Sequence, residues 1–143
     1  RHSAKERTYK YFIINRPGKL VIEKNKAWHI KKKINIKLMK RGANILKGTH
    51  DFSAFRASSC TAKSPIRTIK DINIRKSKNK IILTFVSRSF LQQQVRSMVG
   101  ALKYLGEERW SLDYFKKVFL SKKRSMCASP APAHGLYLSK VIY

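Results

Sequence analysis

Two hydrophobic periods alternate along the chain and predict where strands and helices fall. From Tyr9 to Asn15 aromatic and β-branched residues dominate, and the run stops at Asn15-Arg16-Pro17-Gly18, which carries turn chemistry. This segment reads as a strand. A second short strand includes Ala27-Trp28-His29. The spacing then becomes helical at Ile36, Met39, Ala43 and Leu46, with Asn35 placed to cap the helix start and Gly48 to close its end. Asp51 to Arg56 reads as a short turn or helix, capped by Asp51 and anchored by Phe52 and Phe55. An irregular Ser/Cys/Thr stretch follows and ends at Ser64-Pro65.

Ile69 to Lys76 and Lys80 to Ser87 are two β-rich runs, and Ser77-Lys78-Asn79 between them reads as a hairpin turn. Leu91 to Leu105 has helical spacing, with Val95, Met98, Val99, Leu102 and Leu105 on one face and Gly106 placed to close it. Ser111 is placed to cap a last helix running through Leu120. After Pro130-Ala131-Pro132, Leu136 to Tyr143 reads as a closing strand. No repeat or linker divides these elements. They predict one α+β domain over residues 1–143, an antiparallel β-sheet backed by helices on one face.

Composition sharpens the picture through charge. With 43% hydrophobic residues over 143 positions, the chain can bury a single core. Thirty-three Lys and Arg against seven Asp and Glu give +26, far more than solubility requires. Such a surplus repels itself in a folded domain and calls for a polyanionic partner. Individual lysines between Ile30 and Lys40 also fit a bias toward Lys, Ile and Asn; the total does not, because Arg is plentiful too. No apolar run is long enough to span a bilayer and no basic amphipathic helix flanks the domain, so nucleic acid is expected rather than membrane. Cys60 and Cys127 are too few for a disulfide framework and read as reduced thiols of a cytoplasmic protein. The chain opens on Arg1-His2-Ser3 and enters a strand pattern almost at once, as a fragment of something longer would.

Five segments carry a more specific signal. They are Arg7-Thr8-Tyr9-Lys10-Tyr11; Gly48 to Arg56; Cys60 with Lys63-Ser64-Pro65-Ile66-Arg67-Thr68; Phe90 to Gly100; and His134-Gly135-Leu136-Tyr137-Leu138. Together, in order and spacing, they resemble the tRNA pseudouridine synthase A family over nearly the whole chain. The resemblance implies an enzyme of two similar halves whose sheets join across a cleft, acting as a homodimer on uridines at tRNA positions 38 to 40 in the anticodon arm. The family's nucleophilic aspartate lies in an Arg-Thr-Asp-x-Gly-Val motif of the amino-terminal half, and no such motif occurs here. The chain is therefore expected to be the carboxy-terminal domain of a two-lobed pseudouridine synthase, inactive alone. The other reading is a non-catalytic basic RNA-binding module.

The chemistry breaks an N-glycosidic bond, turns the uracil and rejoins it through carbon 5. It requires a pocket for an unstacked base and a carboxylate nucleophile, with no metal or redox cofactor. From the residues alone Tyr9 reads first as a core aromatic of a strand and Arg96 as a solvated helix arginine. The resemblance makes Tyr9 the active-site tyrosine, a platform for uracil and a proton carrier near carbon 5. It makes Arg96 the active-site arginine, a fork for the aspartate carboxylate. Leu136 matches a leucine that walls the pocket, a role indistinguishable in sequence from ordinary strand core. Tyr11, two residues beyond Tyr9 on the same face, reads as packing.

Arg56, Lys63, Arg67 and Arg88 lie near the matching loops and are candidate phosphate ligands. Gln92 and Gln93 stand where relatives often carry histidines; they can still hydrogen-bond RNA but do not titrate near neutrality. Asp51 belongs to a different motif from the nucleophile's and is not expected to replace it. The spacings of Cys60, Cys127, His50 and His134 do not match a paired zinc pattern, so no metal site is expected.

Overall fold

A computed structural model describes residues 4–18 and 26–143; residues 1–3, where the chain opens on Arg1-His2-Ser3, and 19–25 lie outside the described residues. The elements run β1 (Glu6–Asn15), β2 (Trp28–Ile30), α1 (Ile36–Leu46), β3 (Gly48–Asp51), β4 (Ile66–Ser77), β5 (Lys80–Ser87), α2 (Gln94–Gly106), α3 (Leu112–Ser121) and β6 (Leu136–Ile142), with short 3₁₀ turns between some of them.

One sheet takes in all six strands, in the order β3-β4-β5-β1, and β1 carries both β2 and β6 on its far edge. β2 lies beside the end of β1, where Ile13 faces Trp28, and β6 lies beside its beginning, where Tyr11 faces Leu136. The β1–β2 pair is parallel and the other pairings are antiparallel. The α+β expectation holds, with three helices backing the sheet.

The two-residue period of the strands selects the core face. Tyr11 and Ile13 of β1, Ile81, Leu83 and Phe85 of β5, and Ile72 and Ile74 of β4 are buried. They pack against Met39 and Leu46 of α1, Met98, Leu102 and Leu105 of α2, and Phe115 and Phe119 of α3. Each fully buried side chain of this kind contributes about 1.5–3 kcal/mol. Both expected caps form. Asn35 Oδ1 accepts from Leu38 N at 3.1 Å, and Ser111 Oγ accepts from Tyr114 N at 3.1 Å. Asp51 Oδ1 accepts from Ser53 N at 2.8 Å, while Phe52 and Phe55 are fully buried beneath that turn. No helix among the described residues is long and apolar enough to cross a membrane.

Several boundaries differ from expectation, β1 for one beginning at Glu6 and not Tyr9. α2 begins at Gln94, not Leu91, because Gln93 adopts a left-handed backbone (φ 62°) and Gln94 Oε1 takes Leu91 N at 2.8 Å in a turn before the helix. Gly106 does not close α2; it is the last helical residue, and the left-handed turn falls at Glu108 (φ 61°). A glycine sits at 106 because a Cβ there would meet Ile34 Cγ2 at 2.8 Å. Gly48, at φ 96°, does not cap α1 but opens β3, a strand whose polar residues carry no alternating pattern. β4 starts at Ile66, three residues early, because β3 pairs with that extension from Asp51↔Ile66 to Gly48↔Ile69.

Candidate active site

The first half of β1, the turn leading into α2 and the first residue of β6 meet around a cavity of about 230 Å³. Tyr9, Arg96 and Leu136 line it together, with Gln92, Gln93 and Gln94 along one wall. Tyr9 reaches it because odd-numbered residues of β1 face the helices. Its ring stands edge-on to Phe90, centroids 5.3 Å apart. Leu136 reaches it as the β6 residue paired with Tyr11.

Arg96 is the third residue of α2 and is tied to a segment far along the chain. Its Nε donates to Ala131 O at 2.7 Å, and its own carbonyl accepts from Ala131 N at 2.9 Å. Gly100, one turn further on, makes this approach possible: a Cβ there would sit 2.2 Å from Ser129 O. The terminal guanidinium nitrogens of Arg96 have no protein partner among the described residues. No acidic side chain lines the cavity among those residues. Arg96 and the amino-terminal end of α2 therefore leave it electropositive.

Gln94 adds an unusual feature. It is fully buried, and its Nε2 has no hydrogen-bond partner among the described residues. An unmet buried donor costs about 1–3 kcal/mol.

Of the proposed RNA ligands, Gln92 and Gln93 are on the cavity wall, Arg56 and Lys63 sit on the neighbouring loop, and Arg67 is the second residue of β4, where that loop ends. That loop is joined to the wall where Ala57 N donates to Gln92 O at 3.0 Å. Lys63 is exposed, whereas Arg67 Nη1 donates to Ser64 O and Ile66 O at 2.9 and 2.8 Å, and Arg56 Nη1 reaches Ala62 O at 3.4 Å. Backbone hydrogen bonding at Ala62 and Gln92, with the charges of Arg56 and Arg67, outweighs burial and holds the Cys60 thiol below its ordinary pKa. Arg88 is exposed just before Phe90, and its carbonyl accepts from Arg7 Nη1 at 2.8 Å.

Sequence reasoning missed three participants: Gly100, Gln94 and the hydroxyl of Tyr11. Gln94 was the most legible of them, a polar residue four before Met98 on the apolar face of α2. Tyr11 is buried as expected, yet its hydroxyl is also committed, donating to Pro132 O at 2.6 Å.

Fold and site define the class: an α+β domain whose strand tyrosine and helix arginine converge on a cationic cavity lined, among the described residues, by no acid. The chain belongs to the tRNA pseudouridine synthase family, whose model matches residues 43–143. A protein named tRNA pseudouridine synthase A from Pelagibacter ubique is 61% identical over all 143 residues, which span 58% of that relative. Proteins of the same name from Xanthobacter autotrophicus and Gluconobacter oxydans are 43% and 40% identical over the whole chain, which covers 58% and 52% of them. The chain thus spans a little over half the length of the curated relatives it matches.

Proposed function

We propose that the chain is the carboxy-terminal half of a cytoplasmic, homodimeric tRNA pseudouridine synthase that isomerises uridines at positions 38 to 40 of the anticodon arm. The observation that carries this reading is the convergence of Tyr9, Arg96 and Leu136 on one cavity in a chain of this family. An extruded uracil stacks on the Tyr9 ring, whose hydroxyl handles the proton near carbon 5. The free end of the Arg96 fork takes the aspartate carboxylate supplied by the amino-terminal half, lowers its pKa and keeps it anionic. Leu136 shields the glycosyl intermediate from water. Arg56, Lys63, Arg67 and Arg88 hold phosphates, with Gln92 and Gln93 bonding to the nucleotide at the cavity wall.

The test is tritium release from 5-tritiated uridine in tRNA, run on the isolated chain and on a full-length enzyme containing it. Release is expected from the full-length enzyme alone. Turnover by the isolated chain overturns the two-half reading. Salt-sensitive tRNA binding without release by the full-length protein would favour a non-catalytic RNA-binding module instead.

A further inference from the structure

We infer that Tyr11 is a positioning residue for Arg96, acting through the Ala131-Pro132 peptide; the inference rests on the reading above, in which Arg96 holds the nucleophile. Tyr11 lines no part of the cavity and is wholly buried, so it touches no substrate. Its hydroxyl donates to Pro132 O at 2.6 Å, and Arg96 Nε donates to the adjacent carbonyl, Ala131 O, at 2.7 Å. Two consecutive carbonyls of one loop therefore serve one phenol and one guanidinium.

The link between them is stiff. The Ala131–Pro132 peptide is planar, and the pyrrolidine ring fixes φ of Pro132, here −56°. Only ψ of Pro132 separates the carbonyl that Tyr11 holds from the carbonyl that Arg96 reads. Ala131 cannot swing away on its other side, because its N–H is bonded to Arg96 O. The phenol is itself wedged. A Cβ on Gly135 would stand 2.6 Å from Tyr11 Cζ, so only glycine there lets the chain pass over the ring. Burial raises the pKa of the phenol well above its ordinary value, and the nearby Arg96 charge offsets only part of this. The group stays a donor throughout the neutral range. An arginine with three rotatable carbons before its fork gains little direction from its own helix. Here the direction of the fork is set by the loop, and the loop by Tyr11.

The experiment is a double-mutant cycle in the full-length enzyme, with Tyr11→Phe, Arg96→Lys and the pair measured by single-turnover pseudouridine formation at excess enzyme. Tyr11→Phe is expected to slow the chemical step by roughly tenfold or more, while KM and tRNA affinity stay within about twofold. Lysine has no Nε to take the Ala131 carbonyl, so adding Tyr11→Phe to Arg96→Lys should change the rate by less than about twofold. A merely structural tyrosine gives the opposite: equal proportional losses in both backgrounds, or none in either, and each overturns the inference. Should Tyr11→Phe not fold, Gly135→Ala, which crowds the same ring, takes its place in the cycle with the same two outcomes. An unsubstituted full-length enzyme that forms no pseudouridine overturns the proposed function itself, and the inference with it.

Discussion

Arg96, on the cavity wall, and Arg67, at the start of β4, are held in contrasting ways. Arg96 is fixed by a carbonyl 35 residues away, at 2.7 Å, through a loop that approaches only because residue 100 is glycine. Arg67 is tied to carbonyls one and three residues from itself, where the loop runs into β4. The first arrangement exists only when the whole domain is folded, and it leaves the end of the fork unpaired among the described residues. The second forms locally and uses one donor twice to shape the loop. In the proposed function, tertiary fixation suits Arg96, which must meet a reacting group, and local fixation suits Arg67, which would meet a phosphate, where a small displacement costs little.

Substitutions can break this contrast. The largest effect is expected for Arg96→Lys in the full-length enzyme, a loss of about 100- to 1,000-fold in kcat with tRNA affinity nearly retained. Near-normal turnover would remove Arg96 from the chemistry. Gly100→Ala should come next. Its methyl would collide with Ser129 O, so urea unfolding should show a loss of about 1–3 kcal/mol, and kcat should fall with it. An unchanged unfolding midpoint would mean that the loop does not need that close approach.

A smaller change is expected at the turn beneath the basic loop. Burial acts to raise the Asp51 pKa, but hydrogen bonds from Ser53 and the charges of Lys122 and Arg56 prevail and leave it lowered. Asp51→Ala should cost about 1 kcal/mol at neutral pH. A lowered folded-state pKa means that this contribution is complete above the unfolded value near 4 and disappears as pH falls through the lower folded one. The gap between variant and parent should therefore close in acid, as pH-dependent urea titrations can check. The smallest effect belongs to Lys63→Ala, which should leave turnover intact and reduce the slope of log affinity against log salt by about one. A change in kcat there would erase the division between positioning and chemistry.

Much of the fold was legible because it rests on periodicity and caps. The alternation of β5, the apolar stripe of α2 and the capping roles of Asn35 and Ser111 are local signals. β3 was not legible: Gly48-Thr49-His50-Asp51 has no alternating apolar pattern, and its strand conformation comes from pairing with residues 66–69. The start of α2 was misplaced because a left-handed Gln93 is a tertiary outcome, set where the turn and the cavity wall meet. At the site, the motifs brought Tyr9, Arg96 and Leu136 forward, and the structure places them around one cavity. The hydroxyl of Tyr11 stayed hidden, since its partner lies 121 residues away and is a backbone atom that no side-chain pattern announces.

The turn at Gln93 and Gln94 has a consequence for how this protein responds to engineering. A left-handed non-glycine residue and an orphaned buried amide stand side by side on the wall of the cavity. Replacing the first by glycine, or giving the second a partner, are among the simplest routes to a hardier fold. Selection for heat tolerance alone should strike there early. Carried into the full-length enzyme of the proposed function, the variants it returns should trade gained robustness against catalytic rate.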